Sequence, residues 1–150
     1  MVQLVRTDSS NADFQALVVL LDQDLHVRDG EEHAYYAQFN KIDQIQHVVV
    51  AYMNDEAVGC GAFKPYADNT VEIKRMFVCP TFRGQSIAQQ VLTELEAWAS
   101  ELNVSICVLE TGQKQPEAIR LYQRSGYEII PNYGQYAGVE NSVCMQKTLR

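Results

Sequence analysis

Basic residues are scarce in this chain: 12 Lys and Arg stand against 19 Asp and Glu, for a formal charge of −7 and a sequence pI of about 4.9. A phosphate backbone calls for a basic face, so this balance argues against nucleic acid as the main partner. It suits solubility alone, or a cationic ligand drawn in by the field. Cysteine is also sparse. Cys60, Cys79, Cys107 and Cys144 form no C-x-x-C pair, and none lies near a histidine at zinc-finger spacing. Reduced, mostly buried thiols in the cytoplasm are the simplest account, with no metal expected. No stretch approaches the ~18 uninterrupted apolar residues of a membrane span. Met1 to Asp8 lacks the basic patch and apolar run of a secretion signal, so a chain that neither spans nor binds a membrane is expected. Low-complexity segments, repeats and linker-like runs are missing too. The 150 residues therefore read as one domain, residues 1–150. A domain of this size buries roughly 70% of the surface its unfolded chain exposes, enough to fold without disulfide or metal.

What is present is a run of closely spaced elements. Gln3 to Arg6 reads as a short strand. Thr7-Asp8-Ser9-Ser10 offers helix caps, and Phe14, Leu17, Val18, Leu21 and Leu25 then recur at helical spacing until Asp29-Gly30. A second helix is expected over Glu32 to Ile42. His47 to Met53 and Ala57 to Phe63 read as a hairpin turning at Asn54-Asp55, and Val71 to Val78 as the next strand. Ile87, Val91, Leu92, Leu95, Trp98 and Leu102 make one apolar helical stripe that Asn103 ends. Val104 to Leu109 is apolar almost throughout, as a strand covered on both faces should be. A helix from Pro116 to Ser125 closes at Gly126, and Tyr127 to Ile130 and Ser142 to Leu149 supply two last strands. The order β-α-α-β-β-β-α-β-α-β-β predicts an α/β (α+β) fold, a mixed central sheet of about six to seven strands with helices on both faces.

One junction carries chemistry. The strand ending at Val78 feeds Cys79-Pro80-Thr81-Phe82, and Arg83-Gly84-Gln85-Ser86-Ile87-Ala88 opens the long helix. The free N–H groups of a helix's first turn make an anion site, and small residues at Gly84, Ser86 and Ala88 let a phosphate approach the backbone. Arg83 adds a charge-assisted donor. No G-x-x-x-x-G-K-[ST] occurs, and Gly59-Cys60-Gly61 precedes no helix, which sets aside the P-loop and the dinucleotide fingerprint.

A strand later comes the run Ala118-Ile119-Arg120-Leu121-Tyr122, followed by Gly126-Tyr127. With both motifs at this distance, the chain resembles the GNAT superfamily of N-acetyltransferases over its whole element order. The specific motifs lie between Glu72 and Tyr127. The resemblance implies that Arg83 to Ala88 bind the pyrophosphate of acetyl-CoA, the acyl donor, and that Met76 and Val78 flank its pantetheine arm. It implies that Tyr122 protonates the departing thiolate and that Glu72 serves as base. Ser86 stands where most members have glycine, and its Cβ crowds the phosphate if the position requires positive φ. Gln115 replaces a common asparagine.

The implied reaction moves an acetyl group from acetyl-CoA to an amine of a small molecule or peptide by direct attack on the thioester. The alternative is a non-catalytic acyl-CoA-binding or regulatory module on the same fold, which has no need of Tyr122 or a carboxylate. Amines of pKa near 10 arrive protonated, so a base helps by about 10²–10⁴-fold. Glu72 competes for that role with Glu110 and with a purely structural pairing to Lys74 or Arg75. Asp22, Asp24, Asp29, Glu31 and Glu32 favour a cationic acceptor, or are simply a solvated loop. Asn132 to Tyr136 either flanks the acceptor pocket or merely joins two strands. His26, His33 and His47 form no dyad with serine or cysteine. Edge strands in such folds often pair, so a homodimer is the expected assembly.

Overall fold

The structure is a computed structural model and describes residues 1–29 and 44–149. In chain order the elements are β1 (Gln3–Thr7), α1 (Ala12–Asp29), β2 (His47–Met53), β3 (Glu56–Ala67), β4 (Thr70–Val78), α2 (Ile87–Glu101), β5 (Ile106–Gly112), α3 (Pro116–Arg124), β6 (Glu128–Ile130) and β7 (Ser142–Thr148). Short 3₁₀ turns lie at Pro80–Phe82 and Gly134–Tyr136. The helix expected over Glu32 to Ile42 lies outside the described residues. No helix among the described residues is long and apolar enough to cross a membrane.

The seven strands among the described residues form one sheet in the order β1-β2-β3-β4-β5-β7-β6. Neighbours are antiparallel except β4 and β5, which run parallel and are joined through α2. This is the mixed sheet the element order predicts. β2 shows why its sequence is apolar without alternation. Val48 and Val50 pack towards α1 with Phe14, Leu17 and Val18, while Val49 and Ala51 pack towards α2 with Val91 and Leu95. A strand buried on both faces has no polar side to display. Gly61 of β3 fixes how closely α2 sits, because an added Cβ would fall 2.5 Å from the Met76 sulfur and 2.9 Å from Leu95 and Val91.

Two local readings differ from the structure. Asn11, not the preceding Thr7 to Ser10 run, caps α1: its side-chain oxygen accepts the Phe14 N–H at 2.8 Å. Asp8 instead accepts the Ser10 N–H, a local turn that competes with capping. β3 also runs past Phe63 to Ala67, through Pro65. The β2 pairing stops at Phe63, so no N–H is required of Pro65 on that side.

The central strand is irregular where the site lies. Cys60 pairs with Phe77 and Ala62 with Lys74, so β4 carries one extra residue between them. Arg75 sits in this bulge at φ 63°. Pairing with β5 stops at Ile73–Leu109, just before it. Beyond that point β4 is bonded only to β3 and β5 only to β7, and the two parallel strands part.

Candidate active site

The turn before α2 is built for close approach. Gly84 adopts φ 82°, and a Cβ there would meet nothing within 4 Å. Ser86, the N-cap, adopts φ 64° and ψ 19° with no side-chain capping bond. The condition under which serine is awkward is therefore met: its Cβ is held in the left-handed region that glycine occupies without strain. The first bond of the helix ladder runs from Gln90 N–H to Ser86 O. The N–H groups ahead of Gln90 thus have no intrahelical acceptor, and the helix dipole adds to their pull on an anion.

A cavity of about 410 Å³ opens at this turn. Its walls are Met76, Phe77 and Val78 from β4 on one side and Ala118, Leu121 and Tyr122 from α3 on the other. Arg83, Gly84, Ser86, Ile87 and Ala88 form its mouth, while Gln85 is exposed in the same turn and not among the lining residues. Arg83 does not extend freely into this space. Its Nε donates to the Val78 carbonyl at 2.8 Å, its guanidinium lies 5.5 Å from the Phe77 ring centroid, and Nη2 is 3.8 Å from Asp24. An apolar slot ending in free amides fits an extended thiol arm that carries a diphosphate.

A second, smaller cavity of about 110 Å³ lies deeper, between the parted ends of β4 and β5. Both cavities are lined by Met76, Gln115, Ala118 and Tyr122. Tyr122 therefore stands at their junction, and Gln115 is beside it. Tyr122 is buried, with its ring edge-on to Tyr127 at 5.9 Å. Burial, with Glu110 nearby, raises its hydroxyl above the ordinary 10.0.

The inner cavity brings together groups far apart in sequence. Glu72, 2% exposed, accepts a hydrogen bond from the Tyr133 hydroxyl at 2.8 Å. Lys74 donates from Nζ to the Tyr136 hydroxyl at 3.3 Å. Burial first, then the charge of Glu72, pushes Tyr133 well above its usual range, so it remains a donor. The Asn132 to Tyr136 turn thus flanks this pocket rather than only joining strands. Glu110 and Arg75 complete the charged lining.

The acidic residues of α1 have more specific surroundings than a solvated loop. Asp22 Oδ1 is 3.6 Å from Arg75 Nη1, and Asp24 faces Arg83. The side chain of Asp29, and Glu31 and Glu32, lie outside the described residues, as do His33 and the His26 side chain. His47 is stacked on Phe63 at 4.7 Å and edge-on to Trp98 at 4.8 Å, a packing role away from both cavities. No group of three or more His, Cys, Asp or Glu among the described residues could hold a metal ion. Sequence reasoning weighs the Asn132 to Tyr136 turn as a flank of the pocket, but not the particular contacts of Tyr133 and Tyr136, and it weighs Arg75 only as a structural partner of Glu72. Arg75 needs the bulge to reach the cavity, and the tyrosines lie in a turn with no periodic signal.

Comparison with known proteins identifies the family and the fold. The model of the Acetyltransferase (GNAT) family matches residues 14–127. The IAA acetyltransferase of Azospirillum brasilense is 32% identical over 151 aligned positions, spanning 95% of this chain and 97% of that protein. The crystal structure of a candidate acyl-CoA N-acyltransferase from Klebsiella pneumoniae superposes with a TM-score of 0.83 at 29% identity, over 100% of this chain and 99% of its own. The PaiA N-acetyltransferase of Thermoplasma acidophilum, solved with coenzyme A, shares the fold at a TM-score of 0.73 over 99% of both chains, with 14% identity.

Proposed function

The chain belongs to the GNAT acetyltransferase family, and from that premise we propose that it transfers the acetyl group of acetyl-CoA to the amine of a small molecule or peptide. The observation that carries this reading is the junction of the two cavities at Tyr122. A thioester entering through the outer cavity and an amine held in the inner one would meet there, next to a buried proton donor.

The residues then divide the work. The amides at Gly84 to Ala88 bind the diphosphate. The walls from β4 and α3 enclose the pantetheine arm, and the main chain of Met76 to Val78, unpaired by β5, supplies its hydrogen-bonding partners. Main-chain N–H groups on the same stretch polarise the thioester oxygen. Glu72, oriented by Tyr133, takes a proton from the incoming ammonium directly or through water. Glu110, on the facing strand, is the second carboxylate within the cavity. The freed nitrogen lone pair bonds to the carbonyl carbon and the carbon–sulfur bond breaks. Tyr122 gives its proton to the sulfur and is reprotonated by the proton that the acetylated nitrogen releases. The sum is ammonium plus thioester going to amide, free thiol and one proton.

The four free cysteines, none of them in a disulfide, support a reducing compartment, and we assign the reaction to the cytoplasm. The test is thiol release from acetyl-CoA across a panel of amines. Amine-dependent release that Glu72→Gln and Tyr122→Phe both depress supports the transferase. Saturable coenzyme A binding with no release from any amine would favour the non-catalytic acyl-CoA-binding reading.

A further inference from the structure

The inner cavity holds charges of both signs, and the bulge in β4 is what brings its cations together. Regular alternation would send residues 74 and 75 to opposite faces of the sheet. With the extra residue between the Ala62 and Cys60 pairings, Lys74 and Arg75 line the same cavity. Arg75 adopts φ 63° to do so, a conformation that costs an L-residue with a long side chain and that tends to persist where it serves a site. Both cations are buried, the Arg75 side chain to 2% exposure, whereas its partner Asp22 is 46% exposed and 3.6 Å away.

The opposite sign is equally well placed. Glu72 precedes Lys74 by two residues, so the two backbones are about 6.6 Å apart on one face. Glu110 lines the facing strand. Burial draws the Lys74 ammonium below its ordinary value, with Glu72 acting against that shift. An anion brought next to it restores the charged form. A cavity of about 110 Å³ has room for a few heavy atoms. An oxyanion on the acceptor would gain charge-assisted hydrogen bonds from Lys74 and Arg75 that an acid-free amine does not make, and such bonds are roughly twice as strong as neutral ones.

Resting on the transferase reading above, we propose that the acceptor is zwitterionic: a small amine that also bears an oxyanion, with Lys74 and Arg75 holding the oxyanion and Glu72 and Glu110 facing the ammonium. The acid residues of α1 then tune the cations of the site instead of attracting a cationic substrate.

The experiment uses full-length protein saturated with coenzyme A and a paired panel. Glycine, β-alanine, γ-aminobutyrate and aminomethylphosphonate are each matched with the alkylamine lacking the acid. At least one acid-bearing member should raise the melting temperature while its acid-free partner does not. With acetyl-CoA, the same pair should differ by roughly tenfold or more in kcat/KM. Arg75→Gln and Lys74→Gln should each abolish the selectivity and leave coenzyme A affinity unchanged. If one variant does not fold, the other decides, and the wild-type pairs decide without either. Equal shifts within every pair, or no shift from any acid, would overturn the proposal. The carboxylate and phosphonate arms show which oxyanion is held. Acid-selective melting shifts without thiol release would sink the transferase reading alone, and unselective thiol release would sink the zwitterion alone.

Discussion

Five of the six consecutive positions from Arg83 to Ala88 form most of the mouth of the outer cavity, whereas the polar wall of the inner one comes from β4, β5 and the turn before β7. The outer site offers main-chain amides at a helix start, so many side chains are compatible with it provided they are small. The inner site depends on which side chains the bulge and the late turn bring together. On the proposed reading, a shared donor would be recognised by a short local motif, while acceptor choice would rest on contacts spread across the sheet.

Substitutions that separate the two regions sharpen this contrast. The largest effect is expected where a charge is added to the amide cluster. Ala88→Asp puts a carboxylate in the first turn of α2, which favours the helix dipole but opposes a diphosphate. Two charges 4 Å apart repel by about 4 kcal/mol at an effective dielectric of 20. Half of that, discounted for exposure, is about 2 kcal/mol, or roughly thirtyfold in the Kd for coenzyme A. Titration calorimetry measures the loss, and an unchanged melting curve shows that the helix is intact. Equal binding by wild type and variant would break the comparison at its outer half.

Next in size is the junction. Tyr122→Phe should fold normally, bind coenzyme A as before and lose at least about tenfold in kcat. Because burial and Glu110 hold this hydroxyl above 10.0, it keeps its proton throughout the neutral and mildly alkaline range. A raised pKa means the acid form is lost only at still higher pH. The wild-type kcat, with both substrates saturating, should therefore not fall between pH 7 and about 9.5. A descending limb with a midpoint below 9 would remove Tyr122 as the acid.

Within the inner cavity, Tyr133→Phe deletes the hydrogen bond to Glu72 and nothing at the outer mouth. The expected loss is about fivefold in kcat/KM for the amine, with coenzyme A affinity unaltered. A loss of cofactor affinity instead would show that the two cavities are not separable. The smallest effect is at the cap. Ser86→Gly relieves the left-handed serine, offset by glycine's greater unfolded-state entropy, for a net gain of about 0.5–1 kcal/mol. That corresponds to a melting temperature higher by about 1–4 °C on a thermal scan. A lower melting temperature would mean that the serine side chain makes a stabilising contact of its own.

The same contrast explains what could be read from the amino-acid sequence. The Arg83 to Ala88 turn and the α3 tyrosine are local, and each sits next to a clear change of period, so the outer cavity was legible. β2 was legible from end to end because burial on both faces leaves an uninterrupted apolar run. β5 was displaced: Val104 and Ser105 precede the strand, with Ser105 and Ile106 N–H donating to the Asn69 carbonyl. It continues through Glu110 to Gly112 because β7 pairs with it there, a contact without local signature. Arg75's positive φ has no sequence marker either, since arginine is not a residue that announces a bulge. Tyr133 reaches Glu72 across 61 positions, a distance over which no spacing rule operates.

All of this depends on the turn before α2 receiving a diphosphate. The most direct measurement is a calorimetric titration of the wild-type protein with coenzyme A, repeated with pantetheine, which has the thiol arm but no diphosphate. Saturable heat with coenzyme A and binding at least about tenfold weaker with pantetheine is the predicted result. Equal affinity for the two, or no heat with coenzyme A at millimolar concentration, would contradict it.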